Sequence, residues 1–126
     1  MKIVATIARI LLGVAFLVFG SNAILHFIPT PPMTPSMATT FATVLQDSHY
    51  GAVVGAVEVL GALLLLANRY VALGLTFLGP VLVNILIFHI LMAPASIGMG
   101  VFFTILWFLV AYQHREGFAG LFVAKR

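Results

Sequence analysis

The chain of 126 residues is 63% hydrophobic and 7% charged, and it contains no cysteine. A soluble domain is typically about 45–50% apolar and about 25% charged, so this composition excludes an ordinary water-soluble fold and predicts a membrane-embedded protein. The absence of cysteine excludes a disulfide, a thiolate nucleophile or a cysteine-ligated iron–sulfur centre made by this chain.

Four apolar segments follow one another along the chain, at residues 3–27, 49–67, 71–92 and 97–112. Each has a length near the roughly 20 apolar residues with which an α-helix crosses a bilayer. We therefore predict an all-α integral membrane four-helix bundle that forms a single transmembrane domain over residues 1–126.

The first connection, residues 28–48, is the long one, and it begins with several prolines that disfavour a helix. After them, Ser36 is a favourable helix N-cap. Apolar residues then recur among polar ones at helical spacing, namely Met37, Phe41, Val44 and Leu45. We predict a short amphipathic helix on the outer surface, either as a lid over the bundle or as an ordinary interfacial segment.

The distribution of positive charge predicts the orientation. The first and third connections carry no Lys or Arg, whereas the other segments and the helix ends beside them carry all six, at Lys2, Arg9, Arg69, Arg115, Lys125 and Arg126. By the positive-inside rule, both termini face the cytoplasm. The predicted location is the cell inner (cytoplasmic) membrane, and the basic charge indicates contact with bilayer lipids and no nucleic acid.

Ionisable and polar side chains inside apolar spans are functional candidates by default, because they are costly in hydrocarbon. At about 1.5 Å of rise per residue, Glu58 lies near the middle of the second span. Further polar residues lie in the outer halves of the first and third spans, namely Asn22, His26, Asn84 and His89. We predict that these five line one ligand-binding pocket that opens to the outer face.

Glu58 lies on the small-residue face of its helix, the kind of face by which membrane helices approach closely. That face also carries Gly51, Gly55 and Ala62. The Glu58 side chain is therefore expected to point at other helices, where burial favours its neutral form unless a cation or water supports the charge. Two roles follow for it, a proton relay or a hydrogen bond to Asn84 that holds helices together.

The histidines have several alternative roles. His26 and His89 are candidate hydrogen-bond donors to a bound carbonyl, groups at the membrane edge, or ligands of a haem. Haem ligation requires the two rings to face each other across a flat cavity, which the sequence does not indicate. No residue cluster predicts a metal site, and His49 and His114 lie at span edges where solvation accounts for them.

Four stretches of the sequence form a recognisable combination. They are residues 9–20, residues 55–69 around Glu58, the run Gly79-Pro80-Val-Leu-Val-Asn84-Ile-Leu-Ile-Phe-His89, and His114-Arg115-Glu116. On these stretches, and over essentially its whole length, the chain resembles the DoxX and DoxX-like family of small four-helix membrane proteins.

The resemblance implies a role beside respiratory redox complexes. Named members of that family include a membrane subunit of a thiosulfate:quinone oxidoreductase and a partner in thiol-redox assemblies. This chain has His26 where many members have Lys, and it has no cysteine, which argues against a direct role with a sulfur substrate. Quinone binding needs only an apolar slot, a donor for each carbonyl and a group that moves protons.

Our first hypothesis is a membrane subunit of a quinone-linked redox system, in which His89 or His26 donates to the quinone and Glu58 with Asn84 relays the proton. The chain has no evident redox centre, so it would be at most a subunit of an oxidoreductase, with a soluble or membrane redox partner or further copies of itself. The alternatives are a noncatalytic binding or permeation module for a small lipophilic solute or lipid, and a structural or assembly subunit.

The orientation can be tested with cysteines introduced into the cysteine-free chain. Thr34→Cys in the first connection and Lys125→Cys in the tail should react with an impermeant thiol reagent from opposite sides of membrane vesicles, because four spans place both termini opposite the first connection. Labelling of both positions from the same side would refute the predicted topology.

Overall fold

The computed structural model describes residues 2–29 and 34–124, and within these ranges the chain is helical without any strand. Five α-helices are present, α1 (Lys2–Leu25), α2 (Met37–Asp47), α3 (Tyr50–Ala67), α4 (Val71–Met92) and α5 (Ile97–Gln113). Short 3₁₀-helices, Pro94–Ser96 and Arg115–Phe122, precede and follow α5. Residues 30–33 of the predicted first connection and the basic residues Lys125 and Arg126 lie outside the described residues.

Four helices are long and apolar enough to cross a membrane, namely α1, α3, α4, and α5 together with the 3₁₀-helix before it. An all-helical protein with four candidate spans is therefore confirmed. The third predicted span has the same bounds as α4, whereas α1 ends at Leu25 and not at residue 27.

The four long helices pack in a ring, in which α1 and α4 each lie between α3 and α5. Their shared core is formed by fully buried side chains, namely Leu12, Phe16, Leu65, Leu75, Leu78 and Val110. Neighbouring helices are antiparallel, so the start of α1, the end of α3, the start of α4 and the end of α5 form one end of the ring. We call it the terminal end, and the opposite end, which carries α2, the loop end.

Glycines bring α3 very close to both of its neighbours. A methyl group added at Gly20 of α1 would lie 2.7 Å from the Gly55 carbonyl oxygen, and one added at Gly74 of α4 would lie 2.9 Å from the Gly61 carbonyl oxygen. Both distances are too short for a carbon atom, so these helix pairs require residues without a side chain. Close approach of this kind stabilises membrane helices, because lipid gives them no hydrophobic drive to associate.

The predicted helix after the proline-rich connection is present as α2. Its N-terminus is closed by a capping box, in which the Ser36 hydroxyl accepts a hydrogen bond from the Thr39 N–H at 3.2 Å and the Thr39 hydroxyl accepts one from the Ser36 N–H at 2.8 Å. These bonds satisfy backbone donors that the helix itself leaves without partners. The start of α2 is therefore determined by its own sequence.

Only part of the apolar side of α2 packs against the rest of the protein. Ala38 is buried, whereas Met37 is 71% exposed and Val44 is 57% exposed. Phe41 contacts Phe88 of α4 with ring centroids 5.4 Å apart. Apolar spacing did not identify the packed face, because a helix at a membrane surface has apolar residues toward lipid as well as toward protein.

The glycine contact between α1 and α3 gives a stability prediction. Gly55→Ala should lower the free energy of unfolding by about 1–3 kcal/mol, the usual cost of overpacking, because its new methyl group would lie 2.6 Å from the Gly20 carbonyl oxygen. Gly98→Ala is the matched control, since nothing lies within 4 Å of its added methyl group. Unfolding in mixed detergent micelles measures both. Equal stability of Gly55→Ala and wild type would contradict the close approach.

Candidate functional site

Glu58 is the one charged residue that is buried in the described part of the chain, with 8% of its surface exposed. It lies in α3 beside the glycine contact, where a methyl group added at Gly20 would be 3.0 Å from the Glu58 Cβ. The small-residue face of α3 thus packs on α1 and carries Glu58 into the contact.

The Glu58 carboxyl is not bound by the partner that we expected. The Asn84 Nδ2 donates to the Pro80 carbonyl of its own helix at 2.9 Å. Among residues 2–29 and 34–124, no group donates a hydrogen bond to the Glu58 carboxyl. Every fully enclosed side-chain oxygen or nitrogen in these ranges does have a partner. The carboxyl oxygens therefore reach accessible surface. Glu58 does not hold helices together through Asn84, and its carboxyl is available to water or a ligand.

Asn84 lies on the exposed side of α4. The side of α4 that enters the core is formed by Leu75, Leu78 and Leu82. A turn of 100° per residue places Asn84 well away from those three residues. Asn84 therefore does not line an interior pocket with Glu58.

His89 lies at the loop end, partly buried between α4 and α5. Its Nδ1 is 2.7 Å from the Ile85 carbonyl oxygen, and its ring packs edge-on against Phe88 with centroids 5.1 Å apart. A carbonyl only accepts, so the Nδ1–H of His89 donates to its own helix in this contact and is not available to a quinone carbonyl.

Asn22 and His26 end helix α1. His26 adopts a left-handed backbone conformation with φ of 53°, and its N–H donates to the Asn22 carbonyl at 2.7 Å. The Asn22 Oδ1 accepts a hydrogen bond from the Ile28 N–H at 2.8 Å. These bonds satisfy groups at the helix end, so α1 stops before the residue at which apolar composition predicted its end.

The five predicted site residues are thus not brought into one cavity. Glu58 lies in the contact of α1 with α3, Asn84 on an exposed face, His89 between α4 and α5, and Asn22 with His26 in a turn. Among the described residues, no three His, Asp or Glu side chains come together to hold a metal ion.

The structure places a different cavity at the terminal end, which we call the terminal groove. It has a volume of about 840 Å³ and lies between the start of α4 and the end of α5. It is lined by Tyr70, Val71, Ala72, Leu73, Tyr112, Gln113, His114, Arg115, Glu116 and Gly117. The run of polar residues directly after the last apolar span is the sequence signal that marks one wall; our sequence analysis used it for the orientation and the family resemblance, but not as part of a ligand site.

Local geometry explains the shape of the terminal groove. Asn68 and Tyr70 both have a φ of 54°, so α3 and α4 are joined by a very tight turn. Gly117 lies so close to Ala72 that a methyl group on Gly117 would be 2.6 Å from the Ala72 Cβ. The 3₁₀-helix after α5 is thereby held against the start of α4, and the groove lies between them.

Arg115 is held on one wall of the terminal groove by two contacts with Tyr112. Its guanidinium donates to the Tyr112 carbonyl at 2.8 Å, and it lies 4.6 Å from the centre of the Tyr112 ring. Stacking of this kind stabilises a cation over an aromatic face. The guanidinium has further N–H groups for a ligand, because five are present in the side chain.

A second arginine lies behind the terminal groove. Arg9 of α1 donates to the Leu65 carbonyl in the last turn of α3, where the partial negative charge of the helix end favours a cation. Burial, and then the positive charge of Arg9, lower the pKa of His114 from its ordinary value of 6.5. His114 is therefore mainly neutral at pH 7, with one ring nitrogen as a donor and the other as an acceptor.

The terminal groove offers several hydrogen-bond donors. Tyr70, Tyr112, Gln113 and His114 can each donate as well as accept, Arg115 only donates, and the carboxylate of Glu116 only accepts. Val71 and Leu73 add apolar surface to the same walls. The groove is thus chemically suited to a molecule that has oxygen acceptors at one end and an apolar remainder.

The comparisons with known proteins gave no match: no family model, no curated protein and no solved structure matches the chain. The resemblance to the DoxX and DoxX-like family therefore stays a prediction based on the residues named above.

The environment of His114, which lies just past the last candidate span, predicts that the free energy of unfolding depends on pH. Its pKa is below 6.5 in the folded protein because of burial and Arg9, so the folded state disfavours protonation. The contribution of His114 to the free energy of unfolding is therefore fully present above pH 6.5 and is lost as the pH falls toward the lowered folded pKa. Titration of labelled histidine by NMR in micelles measures this pKa.

The control for this titration separates the two causes. Arg9→Gln keeps a donor for the Leu65 carbonyl and removes the charge, so the pKa of His114 should rise toward 6.5 but stay below it. Lys2→Gln should leave the pKa of His114 unchanged, because burial and Arg9, and not Lys2, lower it. A pKa at or above 6.5 in the wild type would show that His114 is solvated and not buried.

Proposed function

We propose that this protein is the quinone-binding membrane subunit of a redox system and that it binds the quinone headgroup in the terminal groove. With both termini in the cytoplasm, as the Lys and Arg distribution indicates, the groove lies at the inner headgroup level of the cell inner membrane. The ligand site of this proposal is thus on the inner side, and not in the outer half where the sequence placed it.

The observation that carries the proposal is the donor-rich wall of the terminal groove. A quinone has two carbonyl oxygens that accept hydrogen bonds and an apolar tail that stays among lipid chains. The Arg115 guanidinium and the hydroxyl of Tyr70 or Tyr112 supply donors, while Val71 and Leu73 supply apolar contacts. Pockets for small ligands typically combine apolar lining with a few polar groups of this kind.

In this proposal the chain holds and orients the quinone, and a redox partner supplies or removes the electrons. Reduction of a quinone to the hydroquinone takes up two electrons and two protons. Neutral His114 exchanges protons between the groove and the water at the membrane surface, since a group with a pKa near or below neutrality is suited to that task. The DoxX resemblance supports this arrangement, because named members of that family belong to respiratory redox complexes.

A lipid phosphate is the second candidate ligand. Its oxygens accept from the same donors, and Arg115 pairs well with phosphate groups. A protein that binds such a lipid would be a noncatalytic lipid-binding module. The two ligands share the site, so the experiment must separate them.

Quinone binding can be followed through Trp107, the single tryptophan of the chain, which packs on Phe118 with ring centroids 6.3 Å apart. In nanodiscs of neutral lipid, a short-tailed quinone analogue should quench its fluorescence with a defined Kd. Tyr70→Phe should raise Kd about 2- to 12-fold for one neutral hydrogen bond, and Arg115→Gln about 10- to 150-fold for a charged one.

Two control variants locate the site. Arg69→Gln removes an exposed cation that does not line the groove. Glu58→Gln removes a titratable carboxyl that lies about 14 Å along α3 from the C-terminal end of that helix, at 1.5 Å per residue. Both should bind the analogue as the wild type does. Loss of binding in Glu58→Gln with normal binding in Arg115→Gln would place the site beside Glu58 and refute the proposal.

Competition separates the two ligands. If anionic phospholipid at a few mole per cent displaces the analogue, and Arg115→Gln abolishes that displacement, the groove binds lipid phosphate and the redox proposal is wrong. If the analogue still binds in nanodiscs rich in anionic lipid, the groove prefers the quinone.

A further inference from the structure

Helix α4 presents a line of polar groups on the side that faces away from the core. Thr76, Pro80 and Asn84 are all exposed and are spaced four residues apart, so they lie along one stripe of the helix surface. Val83 and Ile87 flank the stripe and are 55% and 47% exposed. Thr76, Pro80, Val83, Asn84 and Ile87 together form what we call the α4 face.

The α4 face leaves hydrogen-bonding capacity unused near the middle of the bilayer. Asn84 is about 4 Å from the centre of α4 at 1.5 Å of rise per residue. Its Nδ2 donates once, to the Pro80 carbonyl, which leaves a second N–H and the acceptor Oδ1. Pro80 has no N–H for the carbonyl of Thr76, which is the usual acceptor four residues earlier.

Contact with lipid chains would leave these groups without partners, which is costly in hydrocarbon. Thr76 differs in this respect, because its hydroxyl donates to the Ala72 carbonyl at 2.8 Å and is satisfied within its own helix. The remaining groups on the α4 face need a partner that reaches the same depth and offers both a donor and an acceptor.

The geometry points to a homodimer in which the α4 faces of two copies pack together and the Asn84 amides bond each other across the twofold axis. A primary amide carries a donor and an acceptor side by side, so two Asn84 side chains form a reciprocal pair. Copies inserted with the same orientation place Asn84 at the same depth, so a twofold axis along the membrane normal brings the two residues together.

Apolar contacts on the α4 face support the pair. Ile87 lies one helical turn after Asn84, is 47% exposed and is placed to pack against the same residue of the second copy. A polar residue within an apolar helix contact typically specifies partner and register, and hydrogen bonds between membrane helices add to the packing. The terminal groove lies at another place on the molecule, so this inference is independent of the quinone proposal.

The dimer is tested first by crosslinking, which leaves Asn84 unchanged. Because the chain has no cysteine, Ile87→Cys, one helical turn after Asn84, can be oxidised in membranes to give a disulfide-linked dimer. Phe102→Cys is the matched control, since Phe102 is 50% exposed, lies as far from the loop end of α5 as Ile87 lies from the loop end of α4, and should not crosslink. Absence of the Ile87→Cys product, or equal crosslinking at both positions, would overturn the inferred interface.

The role of Asn84 is tested by the monomer–dimer equilibrium, measured by energy transfer between labelled copies diluted with lipid. Asn84→Leu should raise the dimer dissociation constant about 3- to 30-fold, which corresponds to about 0.6–2 kcal/mol. Asn84→Gln keeps the amide and should stay closer to the wild type. If Asn84→Leu dimerises as strongly as the wild type, the amide pair does not exist. The helical content of each variant is checked by circular dichroism.

Discussion

The arrangement of the four long helices depends on the close approach of α3 to α1 and α4, which glycines allow. At Gly20 with Gly55, and at Gly61 with Gly74, backbone lies against backbone with no room for a methyl group. In lipid, helices associate by packing and not by the hydrophobic effect, so these contacts determine the order of the ring. They also place Glu58 in the contact of α1 with α3, where its carboxyl is mostly enclosed.

The polar groups of the spans other than the Glu58 carboxyl show a second constraint, since a polar group away from water is stabilised by a hydrogen bond within the protein. Arg9 binds the end of α3, His89 and Asn84 bind carbonyls of their own helix, and Asn22 accepts from the turn that ends α1. These bonds account for residues that depth alone suggested as ligands. A polar residue in a span is therefore a functional candidate only after its own backbone has been considered as its partner.

The terminal groove results from the same packing at the ends of the helices. The tight turn at Asn68 and Tyr70 fixes the distance between α3 and α4, and Gly117 lets the 3₁₀-helix lie on Ala72. The polar side chains that follow the last span are thereby collected beside the apolar start of α4. An amphiphile headgroup suits such a place, because oxygen atoms bind the donors while the tail remains in the bilayer.

The sequence by itself determined the local features. The four apolar helices follow from hydropathy and length, and α2 begins at Ser36 because its cap is made by neighbouring residues. The tertiary structure decided which faces are buried. Asn84, which its depth in the span suggested as a pocket residue, is exposed, and so is Met37 of the apolar side of α2, because lipid is as apolar as the protein core and hydrophobic spacing cannot distinguish the two. The terminal groove could not be predicted from the sequence either, because it forms between two segments that are distant in the chain.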